Sequence, residues 1–236
     1  MSERRPFSEL TEDFSAERRQ RIDAIKLELL KAAGEDGLAD PGSEDGADSE
    51  PPLWLIVTGP PAGGKTTLIR CMSRDLRIPT FEKDAIKDTL YQSLGFGDKD
   101  WSRRIGLATI NILFAIASQM LEARQSLITE ANFYRQYDSE RATEVLRQVS
   151  ARVVQVHCSA PTEVLIERNA RRRTPAEQRL GHHVMPDNEL IAGIEAGTWE
   201  PLDIPSEIIR VDTPREADYE TMLERVRSIL TRSSRA

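Results

Sequence analysis

From residue 53 onward, short apolar runs alternate with longer stretches in which apolar residues recur every three or four positions. The runs LWLIVT (53–58), IPTFE (78–82), SLITE (126–130), RVVQVHC (152–158) and EIIRV (207–211) have the length and composition of strands. The stretches between them predict helices over 65–76, 84–94, 102–123, 138–150, 161–173, 187–196 and 214–231. Strands of this kind, each followed by a helix, predict an α/β domain: a parallel sheet of about five strands with helices on both faces. Ligands in such sheets sit at the carboxyl ends of the strands. The segment RRIGLATINILFAIASQML is apolar on most sides, but Thr109, Asn111 and Gln119 interrupt it. It reads as a buried helix and not as a membrane span.

Ahead of this domain the pattern changes twice. In DFSAERRQRIDAIKLELLKAAG, residues Phe14, Ile22, Ile25, Leu29 and Leu30 fall near helical spacing, with Ser15 as N-cap and Gly34 as stop. Residues 34–50 then carry seven carboxylates and no base, and end at Pro51-Pro52. Such a stretch buries too little apolar surface to offset the entropy of ordering it. The chain therefore divides into an N-terminal amphipathic helix within 1–33, an acidic flexible linker over 34–52, and a domain over 53–236. The helix can pack on the domain, self-associate or engage a protein partner.

Composition adds bounds. A hydrophobic content of 39% in 236 residues is enough for one well-filled core. The start, MSERRPFSEL, lacks the apolar stretch of a secretory signal, so a cytoplasmic protein without membrane contact is expected. Cys71 and Cys158 have no metal-ligand spacing to each other or to His157, His182 and His183, and read as reduced core thiols. Removing the seven acids of the linker from the net charge of -7 leaves 32 acids against 32 bases. A neutral domain ranks nucleic acid low among partners.

The chemistry begins directly after the first strand, where GPPAGGKTT fills the spacing GxxxxGK[ST]. This is a P-loop between strand and helix. Gly59, Gly63 and Gly64 let the backbone curl around a β-phosphate, Lys65 reaches the β- and γ-phosphates, and Thr66 offers its hydroxyl to Mg²⁺. Pro60, Ala62 and Thr67 complete the set around the nucleotide, and the helix that follows turns its positive end toward the anion.

After the second strand, Asp84 and Lys87 lie three residues apart at a helix start. A carboxylate opposite a P-loop can take the proton of an attacking hydroxyl, and a lysine beside it can hold substrate or the phosphoryl group in transit. Asp84 would serve equally as a helix cap. Glu130 and Asn132, at the end of the third strand, suit a water on Mg²⁺ or the substrate. Beyond the fourth strand, ERNARRRTPAEQRLGHH suggests a lid rich in arginine, with Arg168 and Arg172 one helical turn apart as first candidates to touch phosphate, and Arg171, Arg173 and Arg179 behind them. Asp212 and Thr213 close the last strand.

Taken in order, GPPAGGKTT, KDAIK, TEANF, the arginine-rich segment through GHH, and VDT resemble the small P-loop kinases of the predicted-kinase AAA-type family, relatives of chloramphenicol phosphotransferase, the kinase domain of polynucleotide kinase, gluconate kinase and zeta toxins. The likeness spans about residues 53–231. It implies a three-layer α/β/α P-loop sandwich with strand order 2-3-1-4-5, Asp84 as catalytic base, an arginine-bearing lid, and adenine held near Asp212, Thr213 and the lid helix. Lys87 stands where many relatives carry arginine, which removes bidentate phosphate recognition. The leading expectation is an ATP- and Mg²⁺-dependent transfer of phosphate to a hydroxyl of a small molecule. A nucleic-acid end kinase is one alternative, and a nucleotide-dependent switch acting through the N-terminal helix is another.

Overall fold

The computed structural model describes residues 51–173, 184–213 and 217–232. The N-terminal helix and the linker up to residue 50, together with Arg179, Gly181, His182 and His183, lie outside the described residues.

Five strands are described: β1 (Leu53–Thr58), β2 (Thr80–Glu82), β3 (Leu127–Glu130), β4 (Arg152–Ser159) and β5 (Glu207–Asp212). The helices are α1 (Lys65–Leu76), α2 (Lys83–Leu94), α3 (Lys99–Glu122), α4 (Arg135–Gln148), α5 (Thr162–Arg171), α6 (Asp187–Glu195) and α7 (Ala217–Arg232). The strands form one parallel sheet in the order β2-β3-β1-β4-β5. Every residue of β1 is buried, as a strand with two neighbours and a helix layer on each face must be. Side chains alternate across it. Leu53, Leu55 and Val57 join Leu68, Ile69 and Met72 of α1 and Met222 and Val226 of α7. Trp54 and Ile56 face Leu113, Phe114, Ala117 and Leu121 of α3 and Ala142 and Val145 of α4. The result is a three-layer α/β/α sandwich. A smaller cluster of Leu165, Leu190 and Trp199 joins α5 to α6.

Register sets the level of the functional edge. Val57 pairs with Glu130, Glu130 with Glu82, Thr58 with His157, and Ser159 with Asp212. The ends of all five strands therefore open onto one rim.

Boundaries shift from the sequence expectation where local hydrogen bonds intervene. β2 starts at Thr80 and not at residue 78; Pro79 has no N–H to give the ladder, though its carbonyl accepts from Ile128 N at 2.8 Å. α3 begins at Lys99, three residues early, because the Asp98 carboxylate caps it by accepting from Trp101 N at 2.8 Å. The connection left at 95–101 by the expected helices thus shrinks to 95–98. α4 begins at Arg135, where Asp138 reaches back to accept from Tyr134 N at 2.7 Å. By length and composition α3 would also qualify as a membrane span. Here its Ile105, Ile110, Leu113, Phe114, Ala117 and Leu121 are buried in the domain.

Two polar side chains inside the sheet do structural work. Trp54 donates its indole N–H to Thr129 Oγ1 at 2.9 Å. Gln155, wholly buried in β4, accepts from Leu202 N at 2.7 Å and donates to Leu202 O at 2.9 Å and Ser206 Oγ at 2.7 Å. Its amide acts as a surrogate strand for the segment entering β5. Cys71 and Cys158 are free thiols, and burial pushes the Cys158 thiol up to about 12.

Among the described glycines, Gly59 makes the closest approach to its neighbours. A Cβ there would stand 2.2 Å from the carbonyl oxygen of Cys158, at a φ of +135°. Gly59→Ala is expected to destabilise the domain by more than about 2 kcal/mol, through steric overlap and backbone strain together. Urea unfolding of the variant beside the parent protein measures it.

Candidate active site

The loop between β1 and α1 is shaped by close approaches. Ala62 adopts φ 63°, a left-handed conformation that costs a residue with a Cβ about 1–2 kcal/mol. Gly64 follows at φ 84° and caps α1 with no side chain, so no side-chain acceptor competes for the N–H groups of the first turn. A Cβ on Gly64 would lie 2.8 Å from Cβ of Thr213. The Lys65 ammonium is buried and donates to Gly59 O at 3.0 Å and Pro60 O at 2.8 Å.

An open cavity lies beside this loop, lined by Gly63, Gly64, Lys65, Thr66, Lys83, Asp84, Glu130, Ala131, Asn132 and Arg172. Three elements beyond the P-loop supply its walls. Asp84 comes from the first turn of α2, which follows β2 with no intervening loop. Glu130 ends β3, and Arg172 caps the C-terminus of α5.

Burial dominates the electrostatics. It lowers the Lys65 pKa, against the attraction of Glu130, and likewise lowers that of Lys83, against the attraction of Asp84 and Glu130. Glu130, 5% exposed, is pushed up to about 7 by burial, which outweighs the favourable field of Lys65; Asp84 and Glu82 push the same way. A carboxylate held in so unfavourable a charge state is under-compensated, and a divalent cation would supply the missing positive charge. Among the described residues no cluster of three His, Cys, Asp or Glu side chains could cage a metal. Thr66 and Glu130 both line the cavity, and a hydroxyl and a carboxylate could serve Mg²⁺, an ion that keeps waters and phosphate oxygens as most of its ligands.

The structure brings together Lys65, Thr66, Asp84, Glu130, Asn132 and Arg172 from the residues singled out in the sequence. Others it sets apart. Lys87 is buried beneath α3, donating to Ser102 Oγ at 3.1 Å with its ammonium 5.4 Å from the Tyr91 ring centre. Arg168 donates to Ala62 O and Thr213 Oγ1. Arg171 is exposed and ion-paired with Glu167. Arg173 pairs with Asp187. Thr67 is exposed on α1, while Asp212 and Thr213 stand at the end of β5, with Thr213 packed behind Gly64. The residue that sequence reasoning missed is Lys83. Its signal was its place at the strand–helix junction, where the first helical residue faces the rim.

Comparison with known proteins bears on this arrangement. The family described as an AAA domain matches residues 54–185. A candidate kinase from Chloroflexus aurantiacus, of known structure, is 33% identical with a TM-score of 0.69, over 76% of this chain and 98% of that one. A sugar kinase from a Janibacter species is 23% identical with a TM-score of 0.47, over 75% of this chain and 92% of that one. A gluconokinase from Sinorhizobium meliloti is 19% identical with a TM-score of 0.47, over 79% and 99%. At those scores the last two add nothing to the assignment. No curated protein matches the chain.

The Glu130 carboxyl yields a pH prediction. With a folded pKa near 7 against an ordinary value of 4.5, the folded state holds a proton that the unfolded state releases, so this group costs stability progressively as pH rises from 4.5 to 7. Glu130→Gln cannot ionise and escapes that cost. Its melting temperature relative to the parent is expected to rise between pH 5 and pH 8, and a difference that stays flat would remove the assignment of a buried, under-compensated carboxyl.

Proposed function

The chain belongs to this AAA-domain family of small P-loop kinases, and we propose that it transfers the γ-phosphate of ATP, with Mg²⁺, to a hydroxyl group of a small molecule. The observation that carries this reading is the presence of Asp84 in the same cavity as Lys65, Thr66 and Arg172. A carboxylate across from the phosphate cradle can take the proton of an attacking hydroxyl, as transfer to an alcohol requires.

The roles follow from placement. Backbone N–H groups of Gly63, Gly64 and Lys65 and the start of α1 hold the β-phosphate, and Lys65 leaves the loop carbonyls to meet the β- and γ-phosphates. The acceptor oxygen attacks the γ-phosphorus as its bond to the β–γ bridging oxygen breaks and ADP departs. The hydroxyl proton passes to Asp84. Arg172 offers a planar guanidinium to the charge spread over the phosphoryl oxygens. Lys83, on the acceptor side beside Asp84, takes the part expected of Lys87. A bound Mg²⁺ would neutralise phosphate charge between Thr66 and Glu130. A cytoplasmic site of action belongs to the same proposal.

The test is phosphate transfer from ATP into a metabolite extract, read by mass spectrometry as a product heavier by one phosphoryl group. Lys65→Ala and Asp84→Asn should each abolish it or slow it by at least about 100-fold. Full transfer by Asp84→Asn would remove that residue as base. Transfer only to oligonucleotide 5′ ends would move the protein to the end kinases. Once the acceptor is known, Lys83→Ala should slow transfer while Lys87→Ala leaves it close to normal and instead lowers the melting temperature. The reverse pattern would return the role to Lys87.

A further inference from the structure

Arg168 lies outside the cavity lining, yet it touches the P-loop from behind. One of its guanidinium nitrogens donates both to the carbonyl of Ala62 at 3.3 Å and to Thr213 Oγ1 at 3.1 Å. Ala62 is the residue of the loop that holds a left-handed backbone with a Cβ in place, and it is 3% exposed. Thr213 is fixed in turn, its N–H and hydroxyl both donating to Ser159 O, at 3.0 and 3.2 Å, with its side chain against Gly64. The guanidinium thus ties the least favourable turn of the cradle to the end of β5.

The helix carrying it is anchored on its other side. Leu165 is buried with Leu190 and Trp199, and Asn169 donates to Met185 O at 2.8 Å and Asp187 Oδ1 at 2.9 Å. Residues 165, 168, 169 and 172 follow the spacing i, i+3, i+4, i+7, so one face of α5 carries the contact with α6, the contact with the loop, and Arg172.

We infer that Arg168 is a positioning residue: it holds the Ala62 turn so that the N–H groups of Gly63 and Gly64 converge on the β-phosphate, and through α5 it sets where Arg172 enters the cavity. This rests on reading the P-loop as the ATP site. It differs from a direct contact between Arg168 and the γ-phosphate in a measurable way. ATP and ADP both carry the β-phosphate that the loop cradles, and ATP alone carries the γ-phosphate.

Calorimetric titration of the full chain with ATP and with ADP, in Mg²⁺ and well below the melting temperature, distinguishes them. Arg168→Ala should weaken both nucleotides by the same factor, about fivefold or more for the loss of two hydrogen bonds from a charged donor. Arg168→Lys, which keeps the charge without the fork, should recover part of the loss. Thr213→Val should weaken both nucleotides less, and the Arg168→Ala, Thr213→Val double variant should be no worse than Arg168→Ala alone, because the two residues act through one contact. A purely structural role would lower the melting temperature and leave these affinities unchanged, which would overturn the inference. So would a loss confined to ATP. If the parent protein bound neither nucleotide, the kinase reading would fall and this inference with it.

Discussion

The site depends first on how closely the loop after β1 can approach the ends of its neighbouring strands. A Cβ at Gly59 would fall 2.2 Å from the carbonyl of Cys158, and one at Gly64 would fall 2.8 Å from Thr213. The obstacles belong to β4 and to the turn after β5, whose level relative to β1 is set by the parallel ladder through Thr58↔His157 and Ser159↔Asp212. The glycines are therefore demanded by packing as much as by backbone conformation. With larger residues the loop would lift off the rim, and its N–H groups would no longer converge on one point in front of α1.

Charge is the second constraint, and it is not balanced by the protein alone. Lys65, Lys83 and Arg172 share the cavity with Asp84 and Glu130. With Glu130 ionised the five side chains sum to one positive charge, and with it protonated to two. Burial resists every one of the charges whose pKa shifts, lowering both lysines and raising the glutamate. A cavity with that surplus and that desolvation cost is suited to a polyanion that brings its own cation: in the proposed function phosphates would meet the lysines, and a metal would relieve the glutamate. Glu130 thereby becomes the group whose proton decides how much positive charge the site presents.

Much of this was legible before any coordinates. The limits of β1 and α1 agree with the sequence pattern, because five apolar residues and a threonine followed by a glycine-rich turn leave little freedom. Periodicity gave the strands but not their order; that came from the resemblance to a kinase family and holds in the sheet. What could not be read were contacts that depend on helix placement in three dimensions. Arg168 and Arg172 are equivalent by spacing, yet one turn of α5 separates them, and Arg168 reaches Ala62 and Thr213 while Arg172 lines the cavity. Asp84 and Lys87 share a face by spacing, yet Lys87 donates to Ser102 Oγ, on the next helix and fifteen positions along the chain. Lys83 was passed over because the sequence reading ended the strand at residue 82 and began the helix at 84, leaving the junction residue unassigned. Gln155 did leave a trace, a lone amide inside an apolar strand, but its partner lies in the segment that enters β5.

The two sides of the cavity are built on different foundations, and this bears on why family membership reaches the reaction type and stops before the acceptor. On the nucleotide side, the loop rests on the sheet itself and on the core beneath α1, where Leu68, Ile69 and Met72 are buried. Changing that side disturbs the fold. On the other side, the walls come from the start of α2, from Glu130 and the two residues after it, and from Arg172. Farther out, the tie between α3 and α6 is of surface strength: Lys99 to Glu189 at 3.9 Å, both well exposed, is worth less than about 1 kcal/mol. Tyr134 meets Trp199 edge-on at 6.2 Å between ring centres and remains partly exposed, as does Tyr137 beside it. Side chains held this way can be exchanged at little cost to the sheet. Under the proposed kinase reading, a scaffold that seats phosphate on the sheet and meets its acceptor through exchangeable side chains keeps its chemistry while its substrate changes, so acceptor specificity is to be sought among cavity residues such as Lys83 and Asn132 and not in the P-loop.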